Sequence, residues 1–183
     1  MTGSVEVRQF AESDWPEFLP ILQEVVRAGE TYAIGPDLDE EGARAFWSDA
    51  HLVAATQDGL LLGSAKMGPN RPAQGAHVGT ASFMVSAAAR GRGVGRALAE
   101  YVVDWHRANG FRAIQFNAVV ETNVAAVRLW QSLGFTIVGT VPEAFRRPDG
   151  SYVGLHVMHL SLVQASPGTD EDPDRLRACK RSR

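Results

Sequence analysis

Three glycines and three arginines share seven positions in the run Arg90-Gly91-Arg92-Gly93-Val94-Gly95-Arg96, which lies between a strand pattern and a helix pattern. Glycine lets a chain turn tightly and lets a ligand approach the backbone with no Cβ in the way. The amides of such a turn and of the first helical turn point outward. With the helix dipole they form a site for an anion such as a pyrophosphate. Arg90, Arg92 and Arg96 add donors for charge-assisted hydrogen bonds. A dinucleotide fingerprint would need a third glycine where Arg96 stands, and a P-loop would need Gly-Lys followed by Ser or Thr, which is absent. A basic surface turn without a ligand is the competing reading. The position between a long strand and an amphipathic helix counts against it.

A second constellation follows about 30 residues later, from Asn123 to Phe135. Asn123 suits a helix N-cap, and its amide can reach a ligand at the helix start. Ala126, Val127 and Trp130 lie at helical spacing on roughly one face. Gly134 suits a left-handed C-cap and Phe135 opens a strand. Candidate bases are Glu121, His77 and His156. The commoner role for Glu121 is a carboxylate stabilising a helix N-terminus, and for each histidine a packed or surface residue. His156 and His159 face opposite sides of a strand. No His-x-x-x-His stands beside a carboxylate, so no metal is expected.

The elements that must position these residues follow from periodicity and turn chemistry. Val5 to Phe10 alternates as a strand. Ser13 or Asp14 caps a helix with Pro16 in its first turn, and Gly29 ends it. A short helix spans about 39–48. Strands at 51–56 and 60–66 flank an Asp58-Gly59 hairpin turn. Residues 68–75 are a loop rich in Pro and Gly. Then come a strand at 77–86, a helix at about 93–109, a strand at 112–119, a helix to about 133, and strands at 135–141 and 152–162. This order is one strand, two helices, a three-strand meander, and alternating helices and strands closed by a strand pair. It implies a mixed α/β sheet.

The two motifs resemble those of the GCN5-related N-acetyltransferase (GNAT) family. Arg90, Gly93 and Gly95 match its coenzyme motif, with Leu98 following, and Ser82-Phe83-Met84-Val85 matches its fourth strand, although Ala87 stands where proline is usual. Asn123, Ala126, Trp130, Gly134 and Phe135 match its second motif. The resemblance covers roughly residues 4–162. It implies a central, largely antiparallel mixed sheet of about seven strands flanked by about four helices. It implies acetyl-CoA as cosubstrate and direct transfer of acetyl to an amine. Phe83, Met84 and Val85 would offer backbone groups to the pantetheine arm. Gly91, Arg92, Gly93, Val94, Gly95 and Arg96 would cradle the pyrophosphate beside Arg90. Asn123 and Trp130 would line the coenzyme, the backbone N–H near Val85 would polarise the thioester, and Thr80 and Asn117 would orient substrate. Trp130 occupies a position where the family often has a tyrosine general acid. Indole has no titratable proton near neutral pH, so water or another group would protonate the thiolate. Gln115 to Asn123 and Gly139 to Arg146 look like a narrower branch that acetylates proline analogues such as azetidine-2-carboxylate, but Thr80 stands where that branch has Asn. A small amine or amino-acid-like acceptor is favoured, in a pocket of Glu30, Thr31, Tyr32, Phe46, Trp47, Phe145 and Arg146, with Arg146 or Arg147 holding a carboxylate. Acetylation of a protein or peptide amine, or a catalytically silent acyl-CoA sensor, are the alternatives.

The 183 residues, 45% hydrophobic, suffice for one domain with a sizeable core, at 1–163. A polar C-terminal tail at 164–183, expected to be mobile, holds the lone Cys179. One cysteine forms no internal disulfide, which fits a reducing cytoplasm. The net charge of −3 gives no electrostatic reason to expect nucleic acid, and no apolar run suggests a membrane. A homodimer is left open.

Overall fold

A computed structural model describes residues 3–48 and 50–163 of the chain. The tail expected at 164–183 lies outside the described residues. Seven strands form one sheet: β1 (Glu6–Gln9), β2 (His51–Gln57), β3 (Leu60–Pro69), β4 (Val78–Val85), β5 (Ala113–Val120), β6 (Thr136–Arg146) and β7 (Tyr152–Ser161). Their spatial order is β1-β2-β3-β4-β5-β7-β6. Four helices connect them: α1 (Trp15–Ala28), α2 (Glu40–Trp47), α3 (Val94–Ala108) and α4 (Val124–Ser132). The mixed, largely antiparallel sheet with four helices is the expected fold class.

Local chemistry accounts for the helix ends. Gly29 closes α1 at φ 62°, the left-handed conformation that suits glycine. The Asp39 carboxylate accepts from Gly42 N–H and starts α2, as Asn123 accepts from Ala126 N–H at α4. The start of α1 differs from expectation. Residues 12–14 form a single 3-10 turn, and the Asp14 side chain turns back to accept from Ala11 N–H at 2.7 Å and from Arg8 at 2.7 and 2.8 Å. Two strands run longer than expected. β3 continues to Pro69, and β6 reaches Arg146 through register shifts between Ile137 and Gly139 and between Val141 and Phe145. β6 is the sheet edge, and Pro142 lies in the unpaired stretch between Val141 and Phe145, where no ladder bond is lost.

Side-chain alternation along the strands divides the core. Trp15, Phe18, Leu22 and Val26 of α1 and Trp47 of α2 pack with Met84 on one face. On the other, α3 contributes Val94, Leu98 and Val102 against Val53 and Met67. There α4 contributes Trp130 to a cluster with Ile114, Phe116, Phe135 and Met158. Each fully buried side chain of this size contributes about 1.5–3 kcal/mol.

One strand pair shapes the rest. β4 and β5 are the parallel neighbours, yet they pair only at Val78 with Ala113 and Gly79 with Ile114. The imidazole of His106, wholly buried on α3, sits against Gly79 at this junction. A Cβ on Gly79 would lie 2.1 Å from His106 Cδ2. Beyond the junction the strands diverge. Phe83 on β4, Phe116 on β5 and Trp130 on α4 fill one side beneath the gap, with ring centroids 4.7–6.0 Å apart.

His106 links stability to pH. Its Nδ1–H donates to the Val102 carbonyl at 2.7 Å. Burial lowers its pKa below the usual value, and neighbouring carbonyls oppose this only in part. The unfolded chain therefore binds the proton more readily. Stability from this site is complete above about pH 6.5 and is lost as pH falls through the lowered folded value. Urea midpoints should thus fall between pH 7.5 and 5.5, and His106→Gln should reduce that fall. Gly79→Ala should cost about 1–3 kcal/mol by overpacking, read as a lower midpoint at both pH values.

Candidate active site

The divergence of β4 from β5 exposes backbone groups inside the sheet. Ser86 N–H donates to the Leu62 carbonyl on β3 at 2.9 Å. Backbone groups alternate sides along a strand, so the amides of Met84 and Ser82 also face β3. Those of Ala81, Phe83 and Val85 face β5, where the ladder has stopped. An extended ligand can complete this edge as an added strand would. The side chains divide accordingly: Met84 is buried under α1, whereas Phe83 and Val85 pack toward α3.

The edge runs directly into the glycine turn. Residues 87–89 form a 3-10 turn, and Arg92 N–H donates to Ala89 O at 3.1 Å. Gly91 and Gly93 take φ of 77° and 81°, the left-handed region. No atom lies within 4 Å of a Cβ built on either one, so the space in front of the turn is open. The first backbone bond into α3 runs from Ala97 N–H to Gly93 O at 2.9 Å. The amides of Val94, Gly95 and Arg96 precede that ladder and present donors at the positive end of a 15-residue helix. The backbone thus joins a strand-like slot to an anion cradle, which fits a phosphorylated arm such as that of coenzyme A.

The arginines of the turn divide in use. Arg92 Nε donates to Gln57 Oε1 at 2.9 Å, and Gln57 Nε2 donates to Gly3 O at 2.5 Å. Arg92 thereby ties the turn to the end of β2. Arg96 reaches Ser132 Oγ at 2.9 Å and Glu100 at 3.4 Å, bridging α3 to the end of α4. Arg90 is exposed beside the opening. Trp130 is buried within the aromatic cluster behind Phe83 rather than in the open slot. Its large ring fills the space beneath the divergence.

On the α1 side, a cavity of about 570 Å³ opens between the end of α1, the loop before α2 and the β6–β7 hairpin. Tyr32, Phe145 and Arg146 line it as expected, joined by Arg27, Ile34 and Arg147. Trp47 is a correction: it is wholly buried and donates from Nε1 to Ser64 Oγ at 2.9 Å. The Phe46 ring lies beneath the Lys66 ammonium, at 4.3 Å. Thr80 borders a smaller hollow with Ser48, Lys66 and Ser82. Asn117 is exposed on β5 and accepts from Gln115 at 2.8 Å while donating to Asn70 at 2.6 Å.

The candidate bases do not converge on the cavity. His77 precedes β4 at the paired end, opposite the opening. His156 Nδ1 lies 2.8 Å from Thr140 Oγ1 and shares its strand face with Met158, toward α4. Glu121 accepts from Gly154 N–H at 2.5 Å, and its own N–H donates to Gly154 O at 3.0 Å, which extends the β5–β7 ladder. Gln57, Arg27 and Asn70 carried no periodic or motif signal in the sequence. Their roles arise from contacts between distant segments.

Residues 7–135 match the acetyltransferase (GNAT) family profile. The chain therefore belongs to the GNAT family, and its fold is that of an N-acetyltransferase domain. A GCN5-related N-acetyltransferase from Kribbella flavida is 58% identical, with a TM-score of 0.83 over 87% of this chain and 98% of that one. An L-methionine sulfoximine/L-methionine sulfone acetyltransferase of Pseudomonas paraeruginosa is 32% identical over 87% of this chain and 95% of its own length. The N-acetyltransferase aca1 of Schizosaccharomyces pombe is 37% identical over 53% of this chain, and the match spans only 47% of that relative.

The cradle yields a direct test. Gly93→Asp places a carboxylate where the turn amides converge, in a conformation that aspartate tolerates better than most residues. Calorimetry should show loss of coenzyme A binding, with the melting temperature lowered by no more than a few degrees from the left-handed strain. Binding equal to that of the native protein would refute the cradle.

Proposed function

We propose that the protein transfers the acetyl group of acetyl-CoA directly to the amine of a small, amino-acid-like acceptor. The observation that carries this reading is the continuous backbone surface from Ala81 to Arg96: strand groups that have no partner on β5, then turn amides at a helix start. Acetyl-CoA supplies an activated acyl group with a thiolate leaving group. The chain would bind its pantetheine arm along Phe83, Met84 and Val85. It would bind the pyrophosphate at Gly91 to Arg96, beside Arg90 and the Asn123 amide. A β4 amide facing the slot would polarise the carbonyl of the thioester. Trp130 would support this slot from behind.

The acceptor enters from the α1 side. An ammonium has no lone pair, so the amine must lose a proton before it attacks. Glu121, at the end of β5 and outside the cavity lining, is the proposed proton acceptor once the amine has advanced from the cavity into the opening; Gly154 N–H holds its carboxylate in place. Thr80 and Asn117 would orient the substrate. Phe145, Ile34 and Tyr32 give the cavity apolar walls, while Arg146 is exposed and has no ion-pair partner among the described residues. A guanidinium so placed suits an α-carboxylate. The amino-acid analogues named for the Pseudomonas relative are acceptors of this kind and support the reading.

Thiol release from acetyl-CoA, measured across amino acids, their sulfone and sulfoximine analogues, polyamines and peptides, tests the assignment. Carboxylate-bearing small amines should give the highest kcat/KM. Arg146→Ala should raise the acceptor KM about 10- to 100-fold with little change in kcat, as expected for the loss of one charge-assisted contact. Preferential turnover of peptides, or uptake of coenzyme without any turnover, would reject the small-acceptor assignment.

A further inference from the structure

The slot beside β4 already contains a hydrogen-bonding group from the chain itself. The Tyr32 hydroxyl, from the loop between α1 and α2, donates to the Phe83 carbonyl at 2.7 Å and accepts from Phe83 N–H at 3.0 Å. One hydroxyl therefore satisfies both backbone groups of the residue at the centre of the divergence. Its pairing is the one that an acyl oxygen and an amide of an incoming arm would make. Burial raises the phenol pKa above its usual value, so the group stays protonated and serves as donor and acceptor together. The ring packs against Phe46, with centroids 6.0 Å apart. The same residue forms part of the wall of the acceptor cavity.

We infer that Tyr32 is a positioning residue that stands in for the acylated cofactor in the free protein, and that cofactor entry displaces its hydroxyl and reshapes the acceptor cavity. The inference rests on the reading of β4 as the cofactor edge. An amide N–H carries one hydrogen, so Phe83 N–H serves Tyr32 or an acyl oxygen at full strength, not both. The contact has two consequences. It satisfies a polar edge that would otherwise be left open between the two halves of the sheet, and so preserves its extended geometry. It also makes the cavity wall respond to the cofactor, which favours acetyl-CoA binding before the acceptor.

Calorimetry with acetyl-CoA alone, with no acceptor present, tests this on native protein and Tyr32→Phe. Removal of the competing hydroxyl should tighten binding about threefold to tenfold, the range of one net hydrogen bond. It should lower the KM for acetyl-CoA without raising kcat. Amide exchange at Phe83 should accelerate in free Tyr32→Phe and return to slow exchange in both proteins once acetyl-CoA is added. If the variant fails to fold, native protein with labelled tyrosine serves: the sequence has three tyrosines, and the Tyr32 ring resonance should move on cofactor addition. Uptake by native protein with unchanged or weaker affinity in Tyr32→Phe, or a Tyr32 resonance that does not move, overturns the placeholder alone. No uptake by native protein overturns the cofactor reading itself.

Discussion

A parallel strand pair that stops after two residues organises this protein. Were β4 and β5 to pair along their full length, the amides of Ala81, Phe83 and Val85 would be consumed by the sheet and the chain would have no slot. Two packing features accompany the opening. At the closed end, His106 rests on a residue that must lack a side chain, Gly79. Beyond it, the rings of Phe83, Phe116 and Trp130 occupy one side. Bulk beneath the gap supports two strands that no longer share hydrogen bonds. β5 still has a partner, because β7 pairs along its other edge and absorbs a shift between Phe116 and Val119.

The opening gives the two faces of the sheet different tasks. On the α3 side, the glycine turn begins where β4 ends, so strand groups and helix-start donors form one surface of main-chain atoms. Main-chain donors are well suited to this role, since their positions are set by the fold and need little reordering on binding. The side chains of Arg92 and Arg96 then hold the turn and α4 in place. On the α1 side, side chains take over, with aromatic and aliphatic walls and arginines at the rim. Tyr32 belongs to both regions, touching the backbone of one and lining the other.

Much of this was legible from residue types and spacing. The glycine turn was legible because left-handed backbone that must also leave room for a ligand favours glycine strongly. The C-terminal end of α1 was legible from Gly29, which acts on its immediate neighbours. The strand order could not be read from periodicity. The length of β6 was also hidden, because Pro142 reads as a break in any strand whose place at the sheet edge is unknown. Glu121 shows the same limit: its carboxylate looked like a helix-start charge or a base, and its observed partner is an amide 33 residues away.

The sequence by itself determined the family, the glycine turn and most element boundaries, because each depends on short-range rules of backbone conformation and on motifs only a few residues long. Tertiary structure decided which residues meet. The early end of β4–β5 pairing, the burial of Trp130 and Trp47, the tie between Arg92 and Gln57 and the seat of Tyr32 on Phe83 all join segments far apart in the chain. Such contacts follow from how apolar faces share one core, and no local pattern encodes that arrangement.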